Sequence, residues 1–320
     1  MREMLKDEYP AYLDRLNDPA RKGLRINTLK ITPDNFFACT NYELEKSPFA
    51  KHGYYANIKS GVGFTPEHMA GFFYIQEPSA SSAVTILDPK PGMKVLDMCA
   101  APGSKSTQIS EMLEQEGLLV ANEIHPTRSR ILLENIERCG SANTIVLNND
   151  PKDISKAFPE FFDMVLCDAP CSGEGMFRKE DQAVEQWSLE NVQACALRQS
   201  YILEEAYKCL KPGGTMVYST CTFAIEENEL CMQKFIQEHP DMHLVPIEVD
   251  FGRKAFDFGS HTDYARRIFP MDGGEGHFIA KLQKDGGSTE PTIKLMQSQV
   301  LPKVAKEFFE TFLVNQYPYY

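Results

Sequence analysis

The stretch KVLDMCAAPGSK, residues 94–105, decides how this chain reads. Its first part, 95–98, is a short and mostly apolar run that carries Asp97, and it predicts a strand. The chain then turns through Ala100, Ala101, Pro102 and Gly103 and resumes as STQISEMLEQ, where Ile109 and Leu113 lie four apart on a helix face. A strand, a small-residue turn and a helix in that order set backbone N–H groups at the carboxyl end of a sheet, a place suited to a cofactor with polar groups. Gly103 tolerates close approach and any φ, and Pro102 fixes the entry to the turn. Taken alone, an ordinary tight strand-to-helix turn would look the same.

Outward from this stretch, strand and helix alternate. Strands are predicted over 118–121, 144–147, 162–167 and 215–218, and helices over 127–138, 193–210 and 226–238. That is a parallel, doubly wound pattern. Two later strands, 243–249 and 277–282, are separated by a connection too short and too rich in Gly and Pro for another helix unit. They are expected as an added antiparallel edge pair. Before the sheet, residues 3–17 predict an amphipathic helix ended by Asp18-Pro19, Leu24 and Ile26 mark a short strand, and Thr32-Pro33-Asp34 starts a helix with Asp34 near its cap. Thr65-Pro66 opens an apolar helix, broken at Pro78 and resumed through Leu87, and Asp88–Gly92 is a turn-rich boundary. Residues 284–291 resemble a linker, and 304–313 an amphipathic helix.

Composition narrows the function classes. The 320 residues are 42% hydrophobic and 24% charged, ordinary values for a globular chain. No apolar run approaches 18 residues and the first 20 are charged, which counts against a membrane span and a signal peptide. The net charge of −12 argues against a general basic coat. Residues 21–59 nevertheless hold seven basic and three acidic residues, with aromatics interleaved from Phe49 to Phe64. Lysines with aromatics suit a phosphate backbone and stacked bases; a small α+β domain with a solvated basic face has the same pattern. Nine scattered cysteines without a CxxC pair predict neither a disulfide framework nor a zinc site, and point to a reducing, cytoplasmic compartment with no metal. Cys167 and Cys209 read as core residues. Cys171 and Cys221 differ, since each falls in a polar turn just past a strand.

Glu123, past the second strand, is placed to accept hydrogen bonds from ribose hydroxyls, although a surface carboxylate at a helix entry reads alike. Asp150, past the third, could accept from an adenine amino group, and Asn149 competes for that role. APGSKST lacks GxGxxG and the phosphate-binding GK[ST] offset, so S-adenosylmethionine, an adenosine without phosphates, fits better than a dinucleotide. Past the fourth and fifth strands come DAPCSGEGMFRK and YSTCT, which would hold Asp168, Cys171 and Cys221 over one crevice. Cytosine C5 is a poor nucleophile. A thiolate adding at C6 makes C5 enamine-like and able to attack a sulfonium methyl, and a carboxyl near N3 stabilises the charge that develops. Lys105 nearby would favour the thiolate.

The pieces LRINTLK, QEPSA, DMCAAPGSKSTQI, NEI, DAPCSGEGMFRK, YSTCT and GEGHF, in this order, resemble the RNA (cytosine-5) methyltransferases of the NOL1/NOP2/Sun family, closest to the bacterial 16S rRNA m5C enzymes of the RsmF/YebU type. The resemblance implies an α/β, Rossmann-like class I SAM-dependent methyltransferase with a seven-stranded, mostly parallel sheet and a small N-terminal α+β, RRM-like domain. The implied boundaries are 1–90 for the N-terminal RNA-binding region, 91–283 for the methyltransferase domain, and 284–320 for a linker and helix leading toward a PUA-like domain that this sequence does not contain. It implies Cys221 as nucleophile, Cys171 in product release, Asp168 near N3 of the base and Lys105 in the pocket. Cofactor contacts are implied at Cys99, Ala100, Ala101, Pro102, Gly103, Lys105, Glu123, Arg128, Asp150 and Asp168. The implied partner is RNA, as 16S rRNA or the 30S subunit, with the target cytosine flipped or unpaired; a monomer is expected, although no sequence feature sets the oligomeric state. Arg253, Lys254, Arg266 and Arg267 are expected to hold RNA phosphates. An amino-methyltransferase would need a DPPY- or NPPY-like clamp where this chain has DAPC, and a non-catalytic assembly factor would be expected to have lost Cys221 or the Gly103 turn.

Overall fold

Residues 1–58 and 61–287 are described by a computed structural model, and the predicted alternation of strand and helix becomes one mixed sheet beside a smaller one. Lys59, the linker beyond 287 and the helix expected over 304–313 lie outside the described residues. The strands are β1 (Gly23–Ile26), β2 (Leu44–Lys46), β3 (Gly53–Ala56), β4 (Phe73–Ile75), β5 (Lys94–Asp97), β6 (Leu118–Asn122), β7 (Thr144–Leu147), β8 (Phe162–Asp168), β9 (Leu210–Thr220), β10 (Met242–Leu244), β11 (Arg253–Lys254), β12 (Arg266–Ile268) and β13 (His277–Lys284).

The large sheet runs β11-β12-β13-β9-β8-β5-β6-β7, with β10 also on β13. β7, β6, β5, β8 and β9 are parallel, while β13 is antiparallel to β9. The central strands β5, β6, β8 and β9 carry apolar runs on both faces because both faces are covered, whereas the edge strand β7 is partly exposed. Leu96, Val165 and Met216 pack on one side, and their neighbours Val95, Leu166 and Val217 on the other. Each such side chain contributes about 1.5–3 kcal/mol on burial. Strand order reverses at β5, whose neighbours are β6 and β8, so a crevice opens at its carboxyl end.

Three expectations need correction. The large sheet has nine strands among the described residues, not seven. β13 is not at an edge but lies between β9 and β12, because the arginine-bearing connection before it forms β11 and β12. The stretch 65–87 is not one broken helix: it is helical at Pro66–Met69 and, as expected, again from Pro78 through Leu87 (a 3-10 turn, Pro78–Ser81, leading into Ser82–Leu87), with a strand between. Gly71, at φ +76°, ends the first helix, and the aromatic and β-branched run of β4 pairs with β1 instead.

The small sheet runs β2-β3-β1-β4, antiparallel throughout, around Leu24, Ile26, Phe36 and Phe73. Helix Pro33–Cys39 joins β1 to β2, the split β-α-β arrangement. Its cap is Thr32, which accepts from Asn35 N–H, with Asp34 in the first turn beside it, as expected. Arg25 of β1 fastens this sheet to helix Ser104–Met112. Its guanidinium pairs with buried Glu111 and donates to Thr107 Oγ1 at 2.8 Å and Ser104 O at 3.2 Å. The N-terminal helix expected over 3–17 forms as Arg2–Leu5 and Tyr9–Leu16, with a tighter turn between, and sets Leu5 and Tyr12 against Phe223 and Phe269.

Candidate active site

One end of the crevice lies past β5. Past Asp97 the chain turns tightly, with Ala100 N–H donating to Asn122 O and Gly103 N–H to Ala100 O, both at 2.8 Å. Gly103 has φ +111°, and a Cβ there would lie 3.2 Å from Leu132. Ala100 and Ala101 are buried and Cys99 half-buried, its thiol pushed well up by burial and nearby carboxylates. Pro102 O accepts from Asn135 Nδ2 at 2.8 Å and Tyr74 Oη at 3.3 Å. Asp97 is fully buried; Oδ2 accepts from Ser106 Oγ at 2.6 Å and Oδ1 has no partner. Burial pushes its carboxyl up to about 7. Asp97 was legible only as an acid ending an apolar strand.

Glu123 is 3% exposed, which removes the surface-carboxylate reading. Its Oε1 accepts from His125 N–H at 2.9 Å and its Oε2 lies 3.3 Å from Arg128 Nη1. Arg128 also donates to Ala101 O at 2.9 Å, so it ties Glu123 to the turn. Asp150 caps helix Pro151–Ala157 through Lys152 N–H and accepts from Tyr201 Oη, which holds its carboxyl below the ordinary range. Asn149 is bound through its backbone to the Asn122 carboxamide at 3.0 and 3.1 Å, with its side chain exposed.

The other end holds the thiols. β8 ends at Asp168, which sits beside Ser219 in register with β9. Ser219 Oγ donates to Asp168 Oδ1 at 2.6 Å, and Lys105 Nζ lies 2.7 Å from Oδ2. Burial opposes charge on both partners. Their mutual attraction prevails, so the Asp168 pKa falls and the Lys105 pKa rises. Cys171 Sγ lies 3.2 Å from Cys221 Sγ and 3.3 Å from Cys221 N. The hydrogen bond with Cys221, then burial, pushes the Cys171 thiol well up, so it stays protonated near neutrality.

Two glutamates that sequence reasoning missed pin these loops together. Glu174 Oε2 accepts from Phe223 N–H at 2.8 Å and Thr222 Oγ1 at 3.2 Å. Glu227 Oε2 accepts from Ser172 N–H at 3.1 Å and Gln199 Nε2 at 2.7 Å. Gly175 N–H donates to Cys221 O at 2.8 Å. QEPSA and GEGHF, far apart in sequence, also converge. Ser79 Oγ donates to Glu77 Oε2 at 2.6 Å and lies 2.9 Å from His277 Nδ1; burial pushes this imidazole down to about 4 and keeps it neutral.

The expected phosphate cluster is a further correction. Arg267 is 1% exposed and paired with Glu229 at 2.5 Å, Arg266 donates to Ile247 O at 2.8 and 3.0 Å, and Arg253 pairs with Asp272 and Glu8 at 2.5 and 2.6 Å. Lys254 alone of the four is exposed. Arginine on a paired strand alternates faces, so a basic run does not make a basic surface. A cleft of about 480 Å³ lies on the small sheet, lined by Arg21 and Lys22 together with Glu43, Glu45, Tyr55 and Asn57, with the Arg21 guanidinium 4.8 Å from the Tyr55 ring centre. Among the described residues, no group of three or more His, Cys, Asp or Glu is arranged to hold a metal, and no helix is long and apolar enough to cross a membrane.

Known proteins resemble this arrangement. The family model described as 16S rRNA methyltransferase RsmB/F matches residues 84–283, and the one for the N-terminal domain of 16S rRNA methyltransferase RsmF matches 1–78. Ribosomal RNA small subunit methyltransferase F of Vibrio cholerae is 40% identical over 287 residues, 86% of this chain and 60% of that protein. The Escherichia coli protein of that name is 37% identical over 298 residues, 89% of this chain and 62% of its own length. The chain thus spans about 60% of the length of these relatives. Among solved structures, a methyltransferase homolog protein from Pyrococcus horikoshii is 29% identical with a TM-score of 0.78, covering 88% of this chain and 92% of that one.

Proposed function

The chain belongs to the 16S rRNA methyltransferase RsmB/F family, within the NOL1/NOP2/Sun methyltransferases, and from that membership and its thiol pair we propose that it methylates C5 of a cytosine in small-subunit rRNA. One observation carries this reading: two thiols 3.2 Å apart at the ends of adjacent parallel strands, beside an ion pair of Lys105 and Asp168 at 2.7 Å. An amino-methyltransferase has no use for such a pair.

Cys221 attacks C6 of the flipped base. After methyl transfer, Cys171, held protonated 3.2 Å away, gives its proton to the departing Cys221 sulfur and takes up the C5 proton as the C6–S bond breaks, which restores both thiols. Asp168, kept ionised by Lys105 and Ser219 beside N3, can accept a hydrogen bond from the neighbouring exocyclic amino group, and the Lys105 ammonium paired with it offsets the negative charge that builds on N3 as C6 is attacked. S-adenosylmethionine, when bound, supplies the electrophilic methyl group. The residues present fit it. Asp97 Oδ1 is a buried acceptor without a partner beside the Gly103 turn, which suits an ammonium group, and Glu123, anchored by Arg128, suits ribose hydroxyls. Cys99–Gly103 line the turn, and Asp150 or Asn149 would take the adenine. Residues 91–283 then form the methyltransferase domain and 1–90 the RNA-binding region, supported by the Arg21–Tyr55 cleft. The cytoplasm, where thiols stay reduced, suits the chemistry.

The test uses Cys171→Ser and Cys171→Ser/Cys221→Ala chains, incubated with S-adenosylmethionine and small-subunit rRNA and run on denaturing gels. A protein–RNA adduct in the single variant that vanishes in the double is expected. An adduct that persists in the double variant refutes Cys221 as nucleophile. Absence of methyl transfer by the unaltered chain to the same RNA refutes the substrate.

A further inference from the structure

Gln76 has a buried carboxamide, 7% exposed, with no partner for either Oε1 or Nε2. Buried amides are almost always paired, so one left open at both ends points to a group that arrives later. Its surroundings say where. Gln76 N–H donates to Gly23 O at 3.0 Å, which extends the β1–β4 ladder by one step. Alternation along the strand then sets Tyr74 and Gln76 on one face and the more exposed Ile75 on the other. On that face Tyr74 reaches Pro102 of the turn, and Arg25, its partner in register, reaches Ser104 beside Lys105. Three residues beyond Gln76, Ser79 meets His277. His277 directly precedes Phe278, which pairs with Thr220, the residue before Cys221. Gln76 is therefore bracketed between the Lys105 end of the crevice and the strand that presents Cys221.

We propose that Gln76 reads the target base: its carboxamide, one acceptor beside one donor, hydrogen-bonds the polar edge of the pyrimidine that enters the crevice. This rests on the RNA methyltransferase reading above. Cytosine offers an amino donor next to ring acceptors, the complement of Oε1 and Nε2. On the reading above, Asp97 on β5 and Glu123 after β6 would hold the methionine and ribose groups of the cofactor, which leaves the small-domain amide for the base.

Gln76→Leu keeps the side-chain volume and removes both polar atoms. An amide with no partner in the free protein loses nothing on this change, so the thermal midpoint should stay or rise. S-adenosylmethionine affinity, measured by calorimetry, should be unchanged, and kcat/KM for RNA should fall by about 10- to 100-fold, the worth of one paired contact to a base edge. A variant that melts lower and keeps its kcat/KM would assign the amide to internal structure. A loss confined to cofactor affinity would make it a cofactor contact. Unaltered and variant chains methylating RNA equally well refute the Gln76 assignment alone; no methyl transfer by the unaltered chain refutes the functional reading and this assignment with it.

Discussion

Replacing Arg267 by Ala tests whether the basic run before Gly273 serves the core or RNA. The Arg267 and Glu229 side chains are 1% and 0% exposed and are joined by two hydrogen bonds of 2.5 and 2.7 Å. Arg267 also donates to Phe223 O at 3.1 Å, two residues past Cys221, and lies 5.3 and 5.6 Å from the Phe256 and Phe278 ring centres. Truncation leaves the Glu229 carboxylate buried and unpaired, which costs about 3–5 kcal/mol. For a chain of this size each kcal/mol moves Tm by about 2 °C, so the midpoint should fall by about 6–10 °C. Arg267→Met/Glu229→Leu removes both charges at similar volume and should recover most of that loss, because an apolar pair carries no desolvation cost. Thermal melts decide the stability question, and a salt titration of RNA binding decides the other. An Arg267→Ala chain with an unchanged midpoint, and a salt slope reduced by about one unit, would refute the reasoning and return Arg267 to the RNA surface.

Two further predictions concern the crevice. The folded pKa of Asp97, raised to about 7 by burial, lies above its unfolded value, so its contribution to stability is full at acid pH and lost as pH rises through about 7. Asp97→Asn should therefore melt higher than the unaltered chain at pH 8, with the gap closing toward pH 5, and should bind S-adenosylmethionine more weakly. A gap that does not vary with pH would show that Asp97 is ionised in the folded state. At Gly175 an added methyl would meet Gly276 O at 2.6 Å and Cys221 O at 2.9 Å, both backbone atoms. Gly175→Ala should cost about 1–3 kcal/mol and slow methyl transfer while cofactor affinity holds, because the Cys171 and Cys221 loops are pushed apart. Methyl transfer at the unaltered rate would mean that the loops accommodate the methyl group.

Local chemistry wrote much of this protein into its sequence. The apolar run and small-residue turn of 95–103 could form little else than a strand and a tight entry to a helix, and the regular recurrence of such units sets the parallel half of the sheet. Cys171 and Cys221 stood out for a similar reason, since a cysteine in a polar turn past a strand is not packing a core. These features depend on residues a few positions apart.

Other features depend on partners far along the chain, and only the tertiary structure decided them. β13 enters the sheet beside β9 because of a register between residues some 60 positions apart. The aromatic and β-branched stretch at 73–75 carries strand propensity, but in an apolar run read as helix it becomes a strand because β1 offers it an edge. Arg267 looked like an RNA contact until Glu229 came to lie against it, and for Glu123 the surface alternative to a ribose-binding carboxylate fell only once its burial was seen. Asp97, Glu227 and Gln76 gained their significance from burial. Burial and pairing are properties of the whole packed chain, so the sequence names the chemical groups while the fold decides which of them are desolvated, which are paired, and which remain open to a ligand.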